Sequence, residues 1–285
     1  MPDRVRIILL LAPALLVIVV LFFGGLAVGL MRSLSYMPVI GLNKPNLDAY
    51  LAIFSSREFY LSLLLSLHIS ITSTLISSVL AVASALLLRR SFLGKPTVSF
   101  LFQLNLTVPH LVGAIGILYL FSQSGIFSRL AYAGGLITKT SDFPALVFDP
   151  YAFGIILQYV WKEVPFIGVI VLANMQSVGE DFESVARSLG ANRWQSFRYV
   201  DLPLIFPAVL SASAMVFAFT FGAYEIPAIL GQSHPVALPL LAYRKYTDVD
   251  LAARPEAMAI AIAIAAISAA MIWLYMRVSR HSIRG

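Results

Sequence analysis

The sequence predicts an all-α, polytopic membrane protein with six transmembrane helices, on three observations. Of 285 residues, 59% are hydrophobic and only 12% are charged, a balance that excludes an ordinary soluble core. The mean hydropathy is +0.86. Crossing roughly 30 Å of hydrocarbon takes about twenty mainly apolar residues, and six segments qualify: residues 7–31, 60–88, 98–121, 151–175, 204–230 and 257–276. An even number of spans puts both termini on one side.

The first span follows Arg4 and Arg6. Its apolar run is too long for a signal peptide and no small-residue cleavage site follows, so it is expected to be retained. In the outer segment 32–59, Pro38, Gly41 and Pro45 break any helix before Asn46-Leu-Asp-Ala-Tyr50 leads to the second span. That span carries Ser62, Ser66, Ser70, Ser73 and Ser77 at helical spacing. Two readings stand for this stripe: close packing of small polar residues between helices, or the lining of a water-filled path. Span three contains Pro109, His110, Gly113 and Gly116, and span five contains Gly222 and Pro227. Such residues free backbone carbonyls that only protein or a cavity can accept, which turns both spans inward. Segments 122–150 and 231–256 read as Gly/Pro-punctuated outer connections with short interfacial helices. The Ala/Ile-rich sixth span suggests no chemistry. The organisation is an N-terminal helix with its outer segment (1–59), a core of spans (60–278) and a tail (279–285).

Basic residues set the orientation. With the N-terminus inside, the short inner segments hold eleven Lys or Arg and the longer outer segments eight, the density bias of the positive-inside rule. The polar island at 176–203 then faces the cytoplasm. Zero cysteines exclude disulfides and thiolate metal sites. A net charge of +6 calls for no nucleic acid.

That island holds Glu183-Ser-Val-Ala-Arg-Ser-Leu-Gly190 and Val200-Asp-Leu-Pro203. Ser177 with Glu180 and Asn192 with Gln195 fit helix-starting capping boxes, and Gly190 fits the left-handed position after a helix. Phe182, Val185, Ala186 and Leu189 form one apolar face of the first helix, with Glu180, Asp181, Glu183 and Arg187 on the remainder. The face needs a partner.

The spacing resembles the cytoplasmic loop of ABC importer permeases: Glu-Ala-Ala, three residues, Gly, nine residues, Ile-x-Leu-Pro. Val185 and Ala186 stand at the Ala pair, Gly190 at the glycine, and Val200, Leu202 and Pro203 at the end. Ser184 occupies the glutamate position, with Glu183 one residue early. The stretch from Phe221 to Gly231 is most similar to the polyamine, ferric iron, thiamine and sulfate branch. The resemblance implies the type I importer fold and a multi-pass place in a bacterial inner membrane with both termini cytoplasmic. It also implies an ATPase-docking loop built from Phe182, Glu183, Val185, Ala186, Arg187, Leu189, Gly190, Leu202 and Pro203. The partners it implies are two ATPase subunits, a second permease subunit, identical or homologous, and a periplasmic or lipid-anchored solute-binding protein, all in membrane lipid.

A charge at mid-bilayer costs about 2.5–3.5 kcal/mol even on lenient scales, so each one asks for a partner or a purpose. Lys162 and Glu163 are adjacent, hence about 100° apart on a helix, and are read either as outer-interface residues or as a buried pair. Glu225, with Tyr224 beside it, either offers a carboxylate to a cationic solute or bonds to nearby backbone. His68 and His110 are lone histidines, read chiefly as packing residues; His234 and His281 lie outside the hydrocarbon. No metal-ligand spacing is present. The candidate translocation path comprises Ser66, Ser70, His110, Tyr224 and Glu225.

No nucleotide-binding glycine-rich loop occurs, since Gly94-Lys95 is followed by Pro96. The chain is therefore read as a non-enzymatic subunit without a cofactor of its own, and ATP and Mg belong on the partner ATPase. The expected cargo is a polyamine-like or other small charged solute. An ion-coupled carrier is the rival, but such carriers use internal repeats and midplane carboxylates, and no repeat is visible. A membrane-embedded enzyme would need a catalytic constellation within the spans.

Overall fold

The computed structural model describes residues 3–90, 92–178 and 181–284. Fourteen α-helices follow one another among these residues. They are α1 (Asp3–Ile18), α2 (Gly24–Ser33), α3 (Asp48–Ser55), α4 (Arg57–Arg89), α5 (Lys95–Thr107), α6 (His110–Phe121) and α7 (Ile126–Ala133). The chain continues with α8 (Phe153–Val178), α9 (Asp181–Ser188), α10 (Arg193–Ser196), α11 (Leu202–Gly222), α12 (Glu225–Leu230), α13 (Leu238–Tyr246) and α14 (Arg254–Arg284). No strand occurs among the described residues; Met37 and Leu42 form an isolated bridge. Among the described residues, six helical stretches are long and apolar enough to cross a membrane: Leu10–Ser33, Arg57–Arg89, His110–Ala133, Phe153–Ser177, Arg193–Gly222 and Leu251–Arg277.

Two sequence expectations are corrected by local backbone chemistry. The run 98–121 is not one helix, because Pro109 has no N–H to continue the ladder and keeps Val108 extended. At 1.5 Å per residue, α5 and α6 are about 20 and 18 Å long, so together they still match the bilayer core. The apolar run 204–230 likewise stops being helical at Gly222 and restarts at Glu225. Ser177 starts no helix: it lies in the last turn of α8, where its hydroxyl donates to the Asn174 carbonyl at 2.8 Å. Glu180, its supposed capping partner, lies outside the described residues.

The chain forms two compact units. One takes the residues up to Tyr60 with Leu241–Ala265. Within it, Ser33 shares a 2.8 Å hydrogen bond with the Tyr50 hydroxyl, and Lys245 pairs with Glu256 at 2.7 Å. The first span exposes its apolar residues almost all round, as a helix solvated by lipid does.

The other unit takes Leu61–Leu240 with the residues from Ala266 onward. Its core has two centres. Ala81 and Ala85 of α4, Ile167, Val171 and Met175 of α8, and Ile205, Ala212 and Val216 of α11 form one. Small residues here let backbones approach closely, which is how helices associate where lipid removes the hydrophobic drive. The second joins Ile69, Ala114, Ile155, Tyr159, Ile226 and Leu230. The whole serine stripe of α4 is buried, and Ser78 hydrogen-bonds Ser213 of α11 at 2.7 Å.

Candidate functional site

The loop 176–203 is built by local rules. Helix α9 ends in a reciprocal pair of backbone bonds, Gly190 N–H to the Arg187 carbonyl at 2.9 Å and Ala191 N–H to the Ala186 carbonyl at 3.0 Å. This is a Schellman motif, and it needs a left-handed residue at its centre. Gly190 supplies it at φ +90°. Asn192 then starts α10 through a capping box, accepting from Gln195 N–H at 2.9 Å while the Gln195 amide oxygen accepts from Asn192 N–H at 2.8 Å. The second helix is not a separate short piece. A π-turn over Phe197–Asp201 carries it straight into α11, with Pro203 two residues beyond the turn.

The apolar face of α9 stands open. Phe182, Val185 and Leu189 are 56%, 57% and 84% exposed, and Trp194 and Tyr199 extend the exposed apolar surface beyond Gly190. The sequence reading missed both aromatics, although large aromatics in a polar segment are a usable signal for a contact surface. Glu183 and Asp181 belong to α9 by backbone, but their side chains lie outside the described residues. Arg187 is exposed, Leu202 half-buried and Pro203 exposed.

Within the hydrocarbon, the break at Pro109 is served by α8. Pro109 deprives the Asn105 carbonyl of its i+4 donor, and Lys162 of α8 donates its ammonium to the carbonyls of both Asn105 and Val108. Pro165 in turn deprives the Trp161 carbonyl of its donor, and the Asn105 side-chain amide donates to it. The Trp161 carbonyl thus takes a donor from α5, and the Asn105 carbonyl, which also accepts from Val108 N–H at 3.1 Å, takes one from α8. Lys162 and Glu163 are both about 5% exposed, so the pair is buried.

Around this clasp, Gln158 donates to the His110 carbonyl at 3.1 Å, and the His110 ring packs on Phe219 at 4.7 Å. Glu163 lies 3.9 Å from His110 Nε2. Buried polar atoms of Gln158, Tyr159 and Glu163 have no protein partner among the described residues. Glu225 opens α12, a favourable place for a carboxylate at a helix N-terminus. Tyr224 precedes it and is exposed. His110 opens α6 just after the Pro109 break, and Tyr224 and Glu225 stand at the break between α11 and α12.

Ser66 and Ser70 sit elsewhere, buried in packing: Ser66 Oγ accepts from Leu238 N–H at 2.7 Å, and Ser70 donates to the Ser66 carbonyl at 2.8 Å. His68 bonds the Tyr151 carbonyl at 3.0 Å. Asn105, Gln158 and Tyr159 were missed by the sequence reading. The vacancy at Pro109 was visible; the donor that fills it was not.

Comparison with known proteins bears on the loop and the bundle together. Residues 73–284 match the family described as "Binding-protein-dependent transport system inner membrane component". The chain belongs to this family. The permease is 25% identical over 249 residues to the trehalose/maltose transport system permease protein MalF of Thermococcus litoralis, covering 85% of this chain and 82% of that one. It is 28% identical over 242 residues to a spermidine/putrescine transport system permease protein PotC homolog of Mycoplasma pneumoniae, covering 84% and 77%. Its fold matches a chain from the crystal structure of a bacterial alginate ABC transporter in complex with alginate pentasaccharide-bound periplasmic protein, with TM-score 0.81, 19% identity and coverage of 98% and 95%. The permease is thus the multi-pass inner-membrane subunit of an ABC importer, a transport component and not an enzyme. Such a system couples it to an ATPase and a solute-binding protein.

Proposed function

We propose that residues 176–203 are where the permease receives work from its ATPase. The observation that carries this is the open apolar face of Phe182, Val185 and Leu189 on α9, ordered by the Gly190 turn and continuous through α10 with the fifth span. In this reading α9 seats in a groove of the ATPase, whose closure on ATP and Mg displaces the loop and tilts α8 and α11. The assembly holds two ATPases, two permeases and a periplasmic or lipid-anchored solute-binding protein. The loop and both ends of the described chain face the cytoplasm, which the basic-residue bias supports.

The path for solute runs past the helix breaks, along His110, Tyr224 and Glu225, with Ser66 and Ser70 in the packed layer on α4. Glu225 favours a polyamine-like or other small cationic solute at that point. The deciding experiment purifies the complex from native membrane with Val185→Asp or Leu189→Asp in the permease. Loss of the ATPase and of ATP-dependent uptake is expected. A folded variant that keeps both overturns the docking proposal.

A further inference from the structure

The loop is joined by covalent chain to spans four and five, but nothing in that connection moves span two. At its inner end α4 finishes with Arg89, whose guanidinium donates to the Asp201 carboxylate at 2.9 Å, each side chain being 12% exposed. Asp201 is the second residue of Val200-Asp-Leu-Pro203 and directly precedes α11. The cation suits its place, because Arg89 closes α4, where the local backbone dipole is negative. Lys95, which opens α5, donates to the Arg89 carbonyl at 3.4 Å. Arg89 therefore ties the inner end of α4 to the start of α5 and to the turn that leads into α11.

A second polar tie follows along the same two helices. Ser78 and Ser213 meet at 2.7 Å, eleven residues back along α4 from Arg89 and twelve along α11 from Asp201. At 1.5 Å per residue these separations are about 17 and 18 Å, so the helices run antiparallel in register between the ties. Between them Ala81 and Ala85 pack in one core with Ile205 and Ala212. Two ties with a close-packed interval make a stiff strut, whereas packing alone would let one helix slide or turn on the other.

We infer that Arg89 and Asp201 are positioning residues for transport: their ion pair makes span two move with the docking loop. The inference rests on the docking proposal above. It goes further in naming the pair and the span that it recruits. Without the pair, loop displacement would reach α8 and α11 while α4 lagged. Hydrolysis would then continue with little solute carried.

The test uses the full complex in proteoliposomes with the solute-binding protein present, and reads uptake, ATP hydrolysis and the amount of ATPase bound. With Arg89→Gln, which lies outside the docking loop, bound ATPase and hydrolysis should persist while uptake per ATP falls about fivefold or more, the scale of a coupling interaction, and Asp201→Asn should lower uptake per ATP likewise. The exchanged pair, Arg89→Asp with Asp201→Arg, should recover the ratio to within about twofold, which a purely local structural role would not predict. An unchanged ratio in the single variants overturns the inference, as does a monodisperse exchanged pair that fails to recover it. Should the neutral variants fail to fold, Arg89→Lys decides: it keeps the charge and should keep the ratio, and loss of the ratio with bound ATPase intact overturns the inference. A wild-type complex with no ATPase attached would instead sink the docking proposal, taking this inference with it.

Discussion

Lys162 and Asn105 serve each other's helices: the ammonium of Lys162 donates to the Asn105 carbonyl, which Pro109 robs of its i+4 donor and which also accepts from Val108 N–H at 3.1 Å, and the Asn105 amide donates to the Trp161 carbonyl, which Pro165 robs of its own. A charge that looks costly in the membrane is thereby turned onto the carbonyl end of α5, where the helix dipole is negative. Lys162→Met keeps the apolar stem but takes a donor from the Val108 carbonyl and one from the Asn105 carbonyl, which retains Val108 N–H. An unmade buried hydrogen bond costs about 1–3 kcal/mol, so thermal unfolding of the detergent-purified permease should shift down by several degrees. An unchanged midpoint would show that water, not Lys162, satisfies the break.

The same clasp predicts non-additivity. Pro165→Ala restores an N–H to the Trp161 carbonyl within α8, making the Asn105 amide redundant there. Asn105→Ala should therefore destabilise the wild type more than the Pro165→Ala background, with a coupling of about 0.5–1.5 kcal/mol. A double-mutant cycle on unfolding midpoints measures it, and equal costs in both backgrounds would refute the reciprocal arrangement.

Gly190 is held at φ +90°, where an L-residue costs roughly 1–2 kcal/mol. Gly190→Ala should loosen the Schellman turn and lower both ATPase retention and uptake. Gly190→Asn should be milder, because asparagine tolerates the left-handed region. The check is densitometry of co-purified ATPase across the three forms, with the order glycine, asparagine, alanine expected.

Gly113 faces α8 so closely that an added β-carbon would stand 2.5 Å from Gln158 Nε2 and 2.8 Å from a Trp161 ring carbon. Gly113→Val should push α6 off α8, break the Gln158 bond to the His110 carbonyl and lower the unfolding midpoint. Gly116, with nothing within 4 Å of its added β-carbon, is the matched control, and Gly116→Ala should be near neutral. Equal losses at both positions would mean that the face, not the contact, matters.

Orientation has a direct check, because the chain has no cysteine of its own. Ser188→Cys should react with an impermeant maleimide only in inverted vesicles, and Thr140→Cys only in right-side-out spheroplasts. The reverse pattern would place α9 outside and end the docking proposal.

Local chemistry was readable from the chain. Apolar length marked where spans lie, and Asn192, Gln195 and Gly190 marked a helix, a left-handed turn and a second helix, because caps and turns are decided within a few residues. Pro109 announced a gap in the ladder for the same reason, although the chain read as one span until the break was seen. What fills that gap was not readable. Lys162 lies 57 residues from Asn105 and Arg89 lies 112 from Asp201, and such partners meet only when α5 packs on α8 and α4 on α11. Likewise the serine stripe of α4 reads from the sequence first as a seam between helices and second as a lining, and packing buries it. Sequence determined which groups would need partners; tertiary packing alone decided which partners they took, because inside a bilayer water offers no substitute and only the fold brings a donor within reach.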